Sequence, residues 1–441
     1  MVALLGTLIP TTIPAAARFV GPRQVSGRRQ CPAGDTCCRW RCEPTPVRFC
    51  IVKALEFRRN EARYAAAAVS SRLFPGSGAK AGPLSLVEAE PVDLPGPGWK
   101  RVRTRLAGIC GSDISTIEGH ASRYFEPWIS FPFTPGHEVV GQLEDGSRVV
   151  LEPVLGHAAR GFDPPHVNAS PGDGNDYRHL VSGDLEPGIQ IGYCASTGGG
   201  WSNEFVAHES QLHLVADDLS DEAAVMIEPA AVGVHSALRT PIAPGSTVAV
   251  LGAGTAGLTI VAALRCFTEA GTIIVGAKYP EQVEQATRLG ADLVVKPGEL
   301  ARAVRRATGS FLIGDDLSGG ADVVIDAVGT EASVAEAIGI TRPRGTVVLV
   351  GMPGRISVDM TALWHRETAL LGAYTYGTET LPDGNQVPSF ELAAQLAKET
   401  DLGQLVSATY ELDRYEDALA HAVNAGRRGA IKICFDLRSD I

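Results

Sequence analysis

Cysteine is scarce where a fold would use it. Of nine cysteines in 441 residues, Cys31, Cys37, Cys38, Cys42 and Cys50 crowd the start, leaving Cys110, Cys194, Cys266 and Cys434 for the rest. Four thiols so scattered cannot build a disulfide framework, and a reducing compartment, the cytoplasm, is expected. Long apolar runs are also missing. Outside Met1–Pro10 nothing approaches the roughly 20 residues a membrane helix needs, and those ten are too few. Positive charge is short as well: a net charge of −11 argues against nucleic acid or an anionic membrane as main partner, because either requires a basic footprint. What remains is an ordinary globular composition, 45% hydrophobic and 20% charged, with length enough for two domains.

The opening segment is compositionally foreign. Residues 1–51 hold seven Arg and no Lys against Asp35 and Glu43, a net of +5, so the remainder carries −16. The reading that fits is a disordered or non-native extension ahead of a folded chain beginning near Val52. An Arg-rich, acid-poor transit peptide is the next option, and a metal or disulfide knot the third.

From Val52 the pattern is β-like and broken by Gly and Pro. Strands are predicted at Val52–Phe57, Trp99–Leu106, Val139–Leu143 and Arg148–Leu151, followed by an aperiodic stretch from Leu155 to Thr197. Near Ser220 the pattern changes. An Ala-rich helix is predicted over Asp221–Leu238, capped by Ser220 or Asp221. Short apolar strands at Thr247–Leu251, Thr272–Val275, Leu293–Val295, Val323–Ile325 and Thr346–Val350 then alternate with helices. That alternation indicates a buried parallel sheet with helices on both faces. After about Leu371 it decays, leaving helices Ser389–Lys398 and Tyr415–Asn424 and a strand at Ile431–Phe435.

The run Gly252-Ala253-Gly254-Thr255-Ala256-Gly257 follows an apolar strand and opens a helix, the context that makes a GxGxxG pattern a dinucleotide site. Gly252 permits the tight turn, Gly254 lets backbone meet phosphate, and Gly257 allows close helix–strand packing, with Thr255 and Ala256 at the helix N-terminus. An NAD site normally places an acid about 20 residues on, to bind the ribose hydroxyls. Here that stretch reads Val275-Gly276-Ala277-Lys278-Tyr279, and the nearest acid is Glu281 in the next helix. Without a carboxylate to repel a 2′-phosphate, Lys278 can pair with one and Tyr279 can cover the adenine, so NADP is expected over NAD.

Upstream lie Cys110-Gly111-Ser112-Asp113 and Gly136-His137-Glu138. Cysteine thiolate, imidazole and carboxylate are the donors that hold a catalytic zinc. Two carboxylates compete to complete the set: Glu138, next to the histidine, and Glu228 in Met226-Ile227-Glu228-Pro229. A Glu in so apolar a helix needs a partner or a metal. The favoured set is Cys110, His137 and Glu228, with Glu138 near the metal and exchanging for water. Asp113 is placed to fix the His137 tautomer, or simply to cap its turn. A metal of this kind acidifies an alcohol or polarises a carbonyl, and Ser112 is placed to take the proton.

These fragments resemble the medium-chain dehydrogenase/reductase family in its zinc-dependent alcohol dehydrogenase branch, over about Val52 to Phe435. Gly200–Phe205, Asp322–Gly329 and Gly429–Lys432 carry the likeness further, and Glu228-Pro229 is similar to the form in polyol, threonine and glucose dehydrogenases. The resemblance implies an α/β protein: a Rossmann doubly wound parallel sheet plus a chaperonin-10-like β-rich catalytic domain. It divides the chain into the extension 1–51, a zinc-binding catalytic part 52–228, a cofactor part 229–371 and a C-terminal return 372–441. It also implies a homodimer or homotetramer and a small alcohol, aldehyde or ketone substrate. Two departures matter. The four cysteines that hold a structural zinc in many relatives are absent from Gly156–Leu180, which offers His157, His166 and His179 instead, so one catalytic zinc alone is expected. Ser115 stands where relatives often carry a relay histidine. Trp128, Phe131 and Trp364 are candidate pocket walls. The competing readings are a zinc-free NADPH alkene or quinone reductase of the same fold and a non-catalytic NADP-binding protein.

Overall fold

Six apolar strands form one parallel sheet, ordered Leu293–Val295, Thr272–Gly276, Thr247–Leu251, Ala321–Asp326, Thr341–Leu349 and Ala369–Gly372. Numbered along the chain this is 3-2-1-4-5-6, the doubly wound order, which reverses direction between Thr247–Leu251 and Ala321–Asp326 and so opens a crevice there. The computed structural model describes residues 51–440 apart from Asn168, all within one compact unit; the expectations for residues 1–50 lie outside the described residues. The sixth strand, which straddles the point where the sequence pattern fades, lies on the sheet edge with its residues half-exposed or exposed, so burial did not impose on it the pattern of a central strand.

The second sheet is mostly antiparallel. Trp99–Gly108 pairs with Val139–Gln142, which continues to Arg148–Leu151 and Leu212–Leu214, and Glu204–His208 joins the first half of Trp99–Gly108. On its other side Lys432–Asp436 pairs antiparallel with Trp99–Gly108, and Val406–Tyr410 pairs parallel with Lys432–Asp436. The last strands of the chain thus complete a sheet begun some three hundred residues earlier.

Three helices were not foreseen in the β-like first part, the shortest being Gly78–Ala81. Glu61–Leu73 starts at Asn60, whose side chain accepts the Arg63 amide at 3.0 Å, an N-cap. Its Ala-rich sequence buries only Ala67 and Ser71, so no amphipathic stripe announces it. Gly111–Ile117 begins at the Cys110 turn. The predicted Asp221–Leu238 helix is two pieces, Asp221–Ala224 and Ile227–Leu238. Pro229 explains the break, since proline is tolerated only in a helix's first turn. Nine of the twelve residues of Ile227–Leu238 are buried, which carries the Glu228 carboxylate into the interior.

The candidate metal and cofactor site

Cys110 is the N-cap of helix Gly111–Ile117. Its amide donates to Asp113 Oδ2 at 3.0 Å, closing the turn that aims the thiol inward. His137 leaves the tight turn at Gly136 (φ +98°) just before strand Val139–Gln142. A side chain on Gly136 would meet the Trp201 backbone and ring. The donor atoms of Cys110, His137 and Glu138 all lie within 4.8 Å of one another, the only such group among the described residues. Glu228 falls outside that set. It is buried and accepts a hydrogen bond from the Tyr376 hydroxyl at 3.2 Å. Burial pushes its carboxyl up to about 7, with His137 pulling the other way and Glu138 adding to the rise.

The surroundings hold these groups in place. Asp113 Oδ1 lies 3.5 Å from His137 Nδ1 and accepts the Tyr193 hydroxyl at 3.4 Å. Burial alone lowers the His137 pKa, but the Asp113 carboxylate and the Cys110 sulfur outweigh it and hold the imidazole well above its ordinary value. Ser112 Oγ sits 3.5 Å from His137 Nε2, and Thr116 Oγ1 links the Ser112 carbonyl (2.9 Å) to the Tyr193 hydroxyl (3.3 Å). The buried Lys432 ammonium pairs with Glu138 and donates to the Ile109 carbonyl at 3.1 Å. A thiol, an imidazole and two buried carboxylates, one of which (Glu228) has no cation among the described residues, are a donor set that fits a zinc ion.

Tyr193, Tyr376 and Lys432 escaped the sequence reading. Lys432 alone left a trace, a lysine at the start of an otherwise apolar strand. The proposed pocket walls separate: Trp128 meets Tyr177 edge-on at 6.0 Å, Phe131 packs against Phe57 and Phe133, and Trp364 is 78% exposed. In the loop region His157 and His179 stack at 3.9 Å, and His166 lies 3.6 Å from Asp173. The same region is tied together by Arg160, whose guanidinium is 2% exposed and donates to the carbonyls of Ser182, Leu185, Glu186 and Gly188.

At the crevice Gly252 (φ +92°) ends strand Thr247–Leu251, and helix Thr255–Phe267 starts at Gly254 with no side-chain cap. A Cβ on Gly257 would stand 1.9 Å from the Gly252 carbonyl oxygen, whereas one on Gly254 meets nothing within 4 Å. Gly252 and Gly257 are required by packing, whereas Gly254 leaves open space over free helix amides, where a phosphate would fit. Thr255 and Ala256 form the first turn. Lys278 and Tyr279 follow strand Thr272–Gly276, their amides donating to Gln282 Oε1.

Two family models match. Residues 96–217 fit the alcohol dehydrogenase GroES-like domain, and residues 236–387 fit the zinc-binding dehydrogenase model. A sorbitol dehydrogenase from Bacillus subtilis is 29% identical over 335 residues, covering 73% of this chain and 86% of that one. A "Probable D-xylulose reductase A" from Arthroderma otae is 34% identical over 294 residues, covering 63% and 75%. The crystal structure of 2R,3R-butanediol dehydrogenase from Bacillus subtilis superposes with a TM-score of 0.63 at 21% identity, covering 87% of this chain and 99% of that one. No helix among the described residues is long and apolar enough to cross a membrane. With donor cluster, glycine loop and doubly wound sheet all in one chain, it belongs to the zinc-dependent alcohol dehydrogenase branch of the medium-chain dehydrogenase/reductase family, an oxidoreductase that moves a hydride between NAD(P) and an alcohol or carbonyl substrate.

Proposed function

We propose that the enzyme interconverts a polyol-type alcohol and its carbonyl form, with NADP as the carrier and one zinc held by Cys110, His137 and Glu228. The carrying observation is the convergence of the Cys110, His137 and Glu138 donors within 4.8 Å, beside a second buried carboxylate, Glu228. Glu138 already has a cation in Lys432, whereas Glu228 has only a tyrosine hydroxyl. The carboxylate without a cation is the better permanent ligand, and Glu138 is the exchanging one. When bound, zinc draws electron density from the substrate oxygen and the nicotinamide takes or returns the hydride. Ser112, at the start of its helix, 3.5 Å from His137 Nε2 and partly open to solvent, takes the substrate proton as it passes its own hydroxyl proton on to water. Asp113 and Tyr193 set the imidazole plane, and Tyr376 sets Glu228.

The names of the relatives support the polyol class. The absence of an acid between Gly276 and Pro280, with Lys278 in its place, supports NADP. Residues 52–228 and 372–441 are assigned to the catalytic part and 229–371 to the cofactor part, in keeping with sheet membership. The unpaired edge of Ala369–Gly372 and the exposed Trp364, Leu370 and Tyr374 support a homodimer. Four unpaired cysteines, Cys110, Cys194, Cys266 and Cys434, support a reducing compartment. Zinc analysis of the full chain tests the centre: about one ion per chain is expected, lost in Cys110→Ser and weakened in Glu228→Gln. Oxidation of sorbitol and xylitol against simple alkanols, with NADP and with NAD, tests the rest. A metal-free protein that still binds cofactor would refute the mechanism.

A further inference from the structure

Just past the end of strand Thr272–Gly276, the Tyr279 ring of the cofactor part touches the C-terminal segment. Tyr279 packs against Gly426, so close that a Cβ there would stand 2.3 Å from its Cδ2. Beside this contact is a pocket of about 280 Å³ walled by Tyr279, Pro75, Asn424 and Arg427. Three distant stretches of chain thus meet at one opening. Asn424 Nδ2 donates to the Pro75 carbonyl at 3.4 Å and to the Ala420 carbonyl at 3.0 Å, tying two of them together.

The charge at this opening is one-sided. Lys278 Nζ lies 5.6 Å from the centre of the Tyr279 ring, and Arg427 shares the pocket wall with that ring. Arg414 nearby in sequence pairs with Asp417, and Arg438 with Asp436, yet neither Lys278 nor Arg427 pairs with a carboxylate among the described residues. Two exposed cations that each lie near one aromatic ring, at the strand end where a nicotinamide dinucleotide carries its adenosine ribose, suit a phosphate monoester held by more than one donor.

We infer that this pocket receives the 2′-phosphate of NADP, and that Arg427, supplied by the C-terminal segment, is the second cation beside Lys278. The inference rests on the NADP reading above and extends it: cofactor selectivity is shared between the cofactor part and the catalytic part. Tyr279, packed against Gly426, is then the wall against which the phosphate sits between the two cations. Binding the phosphate draws the two parts together at this rim.

Fluorescence titration of the full chain with NADPH and with NADH is the test, and it needs neither substrate nor zinc. Arg427→Ala is expected to weaken NADPH about tenfold and NADH less than about twofold, the loss of one charge-assisted contact. Arg427 is exposed, so truncation leaves the fold intact, and Arg427→Lys is expected to recover most of the NADPH binding. Adenosine 2′,5′-bisphosphate is expected to displace NADPH better than AMP does, an advantage lost in Arg427→Ala. If Arg427→Ala leaves the NADPH-to-NADH ratio unchanged while Lys278→Ala collapses it, the arginine's role is overturned and NADP stands. If the unaltered protein binds NADH as tightly as NADPH, and the bisphosphate no better than AMP, the cofactor reading itself fails.

Discussion

Replacing Arg160 by methionine removes a charge and leaves a side chain of similar length. The guanidinium donates to four carbonyls, Ser182 at 3.1 Å, Leu185 at 3.5 Å, Glu186 at 3.1 Å and Gly188 at 2.7 Å. Burial pushes its pKa below the ordinary arginine value, and it has no carboxylate partner among the described residues. Ser182 and Glu186 are exposed positions whose carbonyls water can rescue; Leu185 and Gly188 are buried. Two stranded buried acceptors at about 1–3 kcal/mol each, less the relief of no longer burying a cation, come to about 3 kcal/mol. A chain of this size does not unfold in one step, so the reading must be local. The Gly188 amide donates to the Leu180 carbonyl at 3.0 Å and the Ile191 amide to the Pro153 carbonyl at 2.9 Å. Hydrogen exchange at both is expected to quicken about a hundredfold in Arg160→Met, the equivalent of that free energy. Catalysis should fall with it, because Tyr193, two residues on, holds Asp113 beside His137. Unchanged protection of these two amides would refute the reasoning.

Other substitutions probe the rest. Lys432→Met strands the buried Glu138 carboxylate, which should cost about 3–5 kcal/mol and show as a lowered melting temperature with altered zinc affinity. Gly257→Ala places a methyl 1.9 Å from the Gly252 carbonyl and should abolish NADPH fluorescence enhancement while zinc content stays normal. Burial and the charge of His157 press His179 down to about 4, below the ordinary histidine value near 6.5. The unfolded chain therefore takes up this proton first. Stability from this group is complete above about pH 6.5 and drains away as pH falls toward about 4. Proteolysis of the 155–197 region should accelerate over that window, and His179→Asn should remove the dependence on pH.

The cofactor half was readable because a buried parallel sheet leaves short apolar runs punctuated by glycine, and Thr247–Leu251 with Gly252 and Gly257 is such a run. The edge strand Ala369–Gly372 and the exposed helix Glu61–Leu73 lack the burial that creates a pattern, so neither stood out. In the site, the short motifs showed Cys110, His137 and Glu138 as donor types, but what brings Cys110 to the other two is the pairing of strands Trp99–Gly108 and Val139–Gln142. Tyr193, Tyr376 and Lys432 were not readable: each reaches the centre across 55 or more positions of chain, and no local spacing encodes such a meeting. The order of preference between Glu228 and Glu138 depends on Lys432 as well, a partner that sequence spacing does not show.

The strand Lys432–Asp436 lies against Trp99–Gly108, with Cys434 opposite Gly108. During synthesis the ribosome must deliver everything between them before this pairing can form. The six strands of the parallel sheet lie in one continuous stretch and are free to fold ahead of it, while the antiparallel sheet waits, one neighbour short, with an open edge. Glu138 meets its ammonium only when Lys432 emerges. A nascent chain therefore owns a nucleotide fold well before Glu138 gains its partner, and the site is finished only once Lys432 has been made.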